Sequence, residues 1–305
     1  MSLTRRALLA STLSTVALPS LSANAKVLIR RTYVYGPFGQ IHVRVAHPET
    51  GPGSKTPLAC FHHSPGSGRL FDPLLPYLAK DRLVMAFDTP GYGNSAHPNE
   101  QPQISDHARA LAVAIEELVP GKRVNLFGQL TGSLIAVEMA ATRKDLVRQV
   151  VLLRSPVFTE ETRASGVAEM LKRHAERKED KTARYLVERL ERGLGNLADD
   201  DPPERYIGAF IDSVLPGHNW VYGEVAAFSY RADLNMPSNS QPVLFITWFE
   251  DDAKDGEFGR ISEWTRGAEI IPNATPLNLT GLGNWPWQEN PEIISNYVHS
   301  FLDAT

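Results

Sequence analysis

The chain has 305 residues, 42% of them hydrophobic, and a formal charge of −4. That length and apolar content suffice for a large core in one open α/β domain carrying an insertion, while the acidic balance excludes a nucleic-acid footprint. The single Cys60 excludes an internal disulfide framework and reads as a small core residue at the end of a buried strand. No spacing of His, Cys, Asp or Glu forms a metal ligand set, and no cofactor is expected.

The first 25 residues differ from the rest. Arg5-Arg6 precede the apolar run Ala7 to Leu18, and Ser22-Ala23-Asn24-Ala25 supply small residues where a signal peptidase cuts. The expectation is a secretory signal over 1–25, with Thr4 to Leu9 similar to the twin-arginine export type, and a periplasmic or secreted mature protein. The apolar run is short for a bilayer span, so no stable membrane anchoring is expected after cleavage. Cleavage removes two arginines and no acid, which moves the formal charge from −4 to −6.

Val27 to Tyr35 and Gln40 to Ala46 alternate as strands around Gly36-Pro37-Phe38-Gly39, an antiparallel hairpin at a sheet edge. Pro57 to Phe61 reads as a buried strand leading into His62-His63-Ser64-Pro65, Leu70 to Leu78 as a short apolar helix, and Arg82 to Phe87 as the next strand. That strand ends in Asp88-Thr89-Pro90-Gly91-Tyr92-Gly93-Asn94-Ser95. Ser105 is the expected cap of a helix that buries Ala108, Leu111, Ala112, Ile115 and Leu118 on one face.

Val124 to Phe127 then meets Gly128-Gln129-Leu130-Thr131-Gly132 and passes at once into a helix pattern from Leu134 to Ala141. Two glycines four apart between a strand and a helix make the sharp corner called a nucleophile elbow, but its middle residue is Leu130, which can neither attack a carbonyl nor move a proton. Gln149 to Leu153 is another strand. From 159 to 240 the pattern breaks into charged helical segments, Glu161 to Arg192 and Glu204 to Leu215, an insertion between the core segments 26–158 and 241–305. Strand signals return at Pro242 to Trp248 and Ala274 to Leu279, with a helix near Glu257 to Thr265, a loop over Gly281 to Trp287 and a last helix from Pro291 to Leu302. Alternating strands and helices imply a mostly parallel sheet, here of eight strands, with helices on both faces.

From residue 27 onward the chain resembles the α/β-hydrolase family. His62-His63-Ser64-Pro65 stands where that family has a His-Gly-x-Pro loop, Asp88 to Ser95 matches its Asp-x-x-Gly-x-Gly-x-Ser turn, and the elbow and two C-terminal loops fall at family spacing. The resemblance implies a helical lid at 159–240. It also implies triad positions at Leu130, Asp252 and Asn284, with Leu130 in place of the serine and Asn284 in place of the histidine. Asparagine has no usable proton affinity near neutrality, so Asp252 has no imidazole to hold and is equally readable as a solvated carboxylate.

Backbone donors survive such replacements. The amides of Ser64 and Thr131 correspond to an oxyanion hole. His63, in place of the family's glycine, puts an imidazole at the pocket rim and is a candidate general base, with packing in the core as its alternative role. His62, Tyr92, Gln129 and Trp285 are candidate pocket residues, His62 as a hydrogen-bonded structural group. Three readings follow. One is an enzyme using proton transfer on a small carbonyl-bearing substrate, of lyase, isomerase or cyclase type. The others are a non-catalytic binder of a ligand or protein, and a hydrolase with a non-standard site.

Overall fold

A computed structural model describes residues 26–197, 202–249, 260–282 and 286–304. The expected leader over 1–25 lies outside them, and no described helix is long and apolar enough to cross a membrane. Eight strands form one sheet: β1 (Val27–Gly36), β2 (Gly39–Pro48), β3 (Leu58–Phe61), β4 (Val84–Phe87), β5 (Val124–Gln129), β6 (Val147–Leu153), β7 (Val243–Thr247) and β8 (Ala274–Asn278). Their order is β1-β2-β4-β3-β5-β6-β7-β8. The β1–β2 hairpin closes at Gly36 opposite Gly39, β2 runs antiparallel to β4, and every later pair is parallel. β3, β4 and β5 are buried on both faces, which is why they read as continuous apolar runs.

The helices are α1 (Leu75–Leu78), α2 (Ile104–Leu118), α3 (Thr131–Thr142), α4 (Glu160–Glu179), α5 (Arg184–Gly195), α6 (Glu204–Val214), α7 (Tyr222–Ser229), α8 (Ala232–Asn235), α9 (Ile261–Ile270), α10 (Pro286–Glu289) and α11 (Pro291–Asp303). Strand residues alternate between two cores. Ala59, Phe61 and Leu126 face α2 and α3, whereas Leu58, Cys60 and Phe127 face α1 and α11. Cys60 is fully enclosed, and burial pushes its thiol far up in proton affinity. Between β6 and β7 the chain makes α4 to α8. α4 and α5 bury no residue completely, but Ala226, Ala227, Ala232 and Met236 enter the same core as α2 and α3.

Several local expectations change. Ser105 is not the cap of α2: the helix begins at Ile104, and Gln103 opens it through a reciprocal box in which its N–H donates to Asp106 Oδ2 at 2.9 Å, because a carboxylate at the third position satisfies an orphan amide and suits the helix dipole. The expected helix from Leu70 to Leu78 divides into a 3-10 turn at Gly68–Phe71 and α1, since Pro73 and Pro76 each lack an N–H for a continuous helix. The loop expected up to Trp287 ends earlier, with Pro286 starting α10 at a position where its missing N–H costs nothing. The described part of α9 starts at Ile261, and residues 250–259 lie outside the described set.

Candidate active site

The carboxyl ends of β3, β4 and β5 bring three loops together. At the end of β5, Leu130 adopts φ 49°, ψ −115° between Gln129 and the first turn of α3. This is an unfavourable region for a branched, bulky residue. Its carbonyl accepts the Ser133 and Leu134 amides at 2.9 and 3.3 Å, and its own N–H donates to the Leu153 carbonyl at 3.1 Å. The two glycines are required by close approach. A Cβ on Gly132 would run into the carbonyls of Phe61 and His62, and one on Gly128 into the backbone of Gly132 and Ser133.

The loop after β4 is built around Asp88, which is fully buried. Its carboxylate accepts from His42 Nδ1 (2.9 Å), Arg44 Nη1 (3.2 Å) and the amides of Gly68 (2.7 Å) and Asn94 (2.8 Å). These donors hold its pKa down to about 2, although burial alone would raise it. Ser95 Oγ donates to the Asp88 carbonyl at 2.6 Å and closes the turn.

His62 joins the loops after β3 and β4. Its Nδ1–H donates to the His63 carbonyl at 2.6 Å and its Nε2 accepts the Thr89 amide at 2.9 Å. Both nitrogens are therefore occupied with the ring neutral, and burial lowers its pKa to about 4 against the opposing charge of Asp88. The ring is fully enclosed, so it braces the loops and presents no surface to a ligand. Tyr92 is similarly enclosed, at 1% exposure. Its hydroxyl accepts the Gly223 amide at 2.6 Å and donates to the Trp220 carbonyl at 3.2 Å, making it a strut between the β4 loop and the insertion.

His63 is half-buried and its Nδ1–H points to Gln129 Oε1, 3.3 Å away. With that acceptor in place Nε2 keeps its lone pair and is the basic nitrogen. Burial lowers the proton affinity of the ring, and the charge of Arg189 lowers it further, against the opposing bond to Gln129. The Ser64 amide is directed at the elbow, donating to Thr131 Oγ1 at 3.4 Å. Thr131 is the first residue of α3, so its own amide has no acceptor within the helix. Asp252, Asn284 and Trp285 lie outside the described residues.

A cavity of about 380 Å³ opens on the His63 side of the elbow, bounded by His63, Pro65, Ser67, Arg69, Asp212 and Gln288 among others. Asp212 on α6 is buried, accepts from Ser67 Oγ at 2.7 Å and pairs with Arg69 Nε at 3.2 Å. Sequence reasoning missed this lock, because a single acid on a helix that also carries Ile207, Phe210 and Ile211 gives no sign of its partners. The acidic group Asp81, His299 and Asp303, the one among the described residues spaced like metal ligands, already surrounds the buried Arg82 guanidinium, 2.6 Å from Asp303 and 2.9 Å from Asp81. It reads as a neutralised ion cluster.

A family model described as alpha/beta hydrolase fold matches residues 56–194. A hydrolase structure from Pseudomonas aeruginosa PA01 superposes with a TM-score of 0.72 at 16% identity, covering 90% of this chain and 98% of that one. The chain has the α/β-hydrolase fold. An esterase of Mycobacterium tuberculosis is 26% identical over 276 residues, 83% of this chain and 85% of that protein. The (E)-2-((N-methylformamido)methylene)succinate hydrolase of Acinetobacter baylyi is 33% identical over 101 residues, 33% of this chain and 38% of its own length. The elbow and the β3 loop bring Gln129 together with His63 and Thr131 together with Ser64, on either side of Leu130.

Proposed function

We propose that this protein is an enzyme that transfers protons on a small carbonyl-bearing substrate, of lyase, isomerase or cyclase type, without a covalent serine intermediate. The observation that carries the proposal is the oriented imidazole of His63, held through Nδ1 by Gln129 beside an elbow whose tip is Leu130. In this mechanism His63 Nε2 takes a proton from the carbon next to the carbonyl. The C–H electron pair moves into the new carbon–carbon double bond, and the oxygen that gains charge accepts hydrogen bonds from the Ser64 and Thr131 amides. Return of the proton to another atom, or expulsion of a leaving group, completes the cycle. A desolvated neutral imidazole suits a general base near neutrality, with a contribution of about 10²–10⁴-fold.

In the same reading the triad is degenerate. Leu130 and Asn284 replace nucleophile and base, Asp252 retains the acid position, and Gln129 is the neighbour that orients His63. The helices from 159 to 240 act as a lid, and the leader over 1–25 sends the protein to the periplasm or beyond. A second reading is favoured by the relatives named as esterases and hydrolases: hydrolysis in which His63 activates a water directly.

The test is hydrogen–deuterium exchange at the α-carbons of a panel of 2-oxo acids and 1,3-diketones in D₂O, read by mass spectrometry alongside product analysis. Wild-type protein exchanges α-hydrogens, and His63→Gln does not at unchanged melting temperature. Ester cleavage dependent on His63 without exchange selects the hydrolytic reading, and full exchange by a folded His63→Gln protein removes His63 from the mechanism. Absence of both activities leaves a ligand-binding protein.

A further inference from the structure

Three buried polar atoms without a hydrogen-bond partner among the described residues occur in the insertion that covers the site: Arg189 Nε, Trp220 Nε1 and Glu224 Oε2. They belong to one cluster. Trp220 and Glu224 stand four residues apart, Arg177 lies 3.7 Å over the Trp220 ring, and Glu224 feels the charges of Arg189, Arg177 and Arg173. The cluster also adjoins the candidate active site. Gly223, next to Glu224, leaves no room for a Cβ between itself and Ser64, and the charge of Arg189 reaches His63.

The cations are not equivalent. Arg173 is paired with Glu169 at 2.7 Å, and Arg177 is held over the rings of Trp220 and Tyr185. Arg189 has no ion-pair partner among the described residues, yet α5 is fixed on α6 by the Tyr206 hydroxyl donating to the Arg189 carbonyl at 3.1 Å. The Nε–H of Arg189 and an indole N–H that is 6% exposed as a residue, both without acceptors among the described residues, are costly features unless something supplies an acceptor.

We propose that Arg189 and the Trp220 N–H form an anion-binding subsite, and that the substrate handled beside His63 carries a carboxylate in addition to its reacting carbonyl. The inference rests on the chamber around His63 being the working site. The planar guanidinium offers paired donors to a carboxylate, and the indole N–H adds a third. Glu224 is compatible with such a guest, because burial pushes its carboxyl up to about 7 and its protonated form donates a hydrogen bond to the anion where the ionised form would repel it. Trp220 packs with Val221 and Val225, which makes the apolar side of the cluster.

The probe is 4-phenyl-2-oxobutanoate compared with its methyl ester, which keeps the ketone and the ring and removes the charge. Binding is measured by titration calorimetry with wild type, Arg189→Gln, Arg189→Lys, Trp220→Phe and His63→Gln. Wild type should bind the acid about tenfold or more tightly than the ester, as expected for loss of a charged hydrogen-bonding pair. Arg189→Gln should reduce the acid to the ester's affinity while leaving the ester unchanged, with Arg189→Lys and Trp220→Phe between the two. The ester also reports whether each variant retains a folded chamber. His63→Gln should keep the preference for the acid, which separates this subsite from the proton-transfer proposal. Equal binding of acid and ester by wild type, no binding of the acid at millimolar concentration, or an unaltered preference in Arg189→Gln overturns the subsite.

Discussion

Removing the Tyr92 hydroxyl tests how the helices after β6 are held to the loop after β4. Tyr92→Phe keeps the ring that packs edge-on to His62 at 6.0 Å, so little cavity is made. It deletes the acceptor of the Gly223 amide (2.6 Å) and the donor to the Trp220 carbonyl (3.2 Å). Each orphaned group in this site costs about 1–2 kcal/mol, within the range for an unpaired buried polar group, so the sum is about 2–4 kcal/mol. Because α7 is joined to the sheet core by few other polar links, the loss should fall first on local opening of Gly217 to Ser229. Native-state hydrogen exchange in a peptide across that segment should rise by about 30- to 1,000-fold, the factor that 2–4 kcal/mol represents. Peptides from α3 should keep their protection. The melting temperature should drop by several degrees, at about 2–4 °C per kcal/mol for a chain of this size class. Unchanged exchange over Gly217 to Ser229 together with a melting temperature within about 1 °C of wild type would refute the strut.

Acid stability should be governed by buried imidazoles. His62 and His107 are enclosed, and burial lowers each pKa from 6.5 to about 4. The unfolded chain therefore binds protons that the folded one refuses, so stability is complete above pH 6.5 and is lost as pH falls toward 4, by up to about 3 kcal/mol for each ring. Urea midpoints from pH 7 to pH 4 should show this, and His107→Phe should roughly halve the slope. The protein should also fail to react with fluorophosphonate serine probes. Stoichiometric labelling at one serine, abolished by changing that serine to alanine, would mean that the nucleophile lies away from the elbow.

The sheet and its corner were legible because each depends on residues adjacent in sequence. Gly128 and Gly132 flank the elbow at fixed spacing, β3 to β5 are unbroken apolar runs, and Asp88 to Ser95 is a turn closed by its own hydrogen bonds. What the sequence hid depends on contacts between distant segments. The Tyr92 hydroxyl meets Gly223, and Ser67 meets Asp212 across 145 residues, so neither aromaticity nor charge announced the role. Gln129 was a candidate pocket residue from its place in the elbow, but its bond to His63 joins segments 66 residues apart and was not readable. Arg189 and Glu224 sit on helices where charged residues are the default solvated face, and only buried atoms without partners among the described residues distinguish them from their neighbours. The cap of α2 was misplaced because serine is the commoner cap, whereas Asp106 decides the start.

The sharp corner at Leu130 has a reason visible in its packing. α3 lies so close to the end of β3 that Gly132 has the Phe61 and His62 carbonyls where a side chain would begin, and Gly128 has the next turn of α3 in the same relation. The corner is therefore required by the way helix and sheet fit together. Residue 130 is held at positive φ by that fit whatever its side chain, at a backbone cost of about 1–3 kcal/mol. The first amide of α3 and the Ser64 amide, which donates to Thr131 Oγ1 at 3.4 Å, are both backbone groups of this corner and do not depend on the side chain at 130. In the proposed reading they are the donors that polarise the substrate carbonyl. In the proposed reading His63 is a base that needs no help from the tip of the elbow, since its ring is oriented by Gln129 at the buried end of β5. Proton transfer, which requires a base and a place for negative charge, is for that reason the reaction class we propose for this corner.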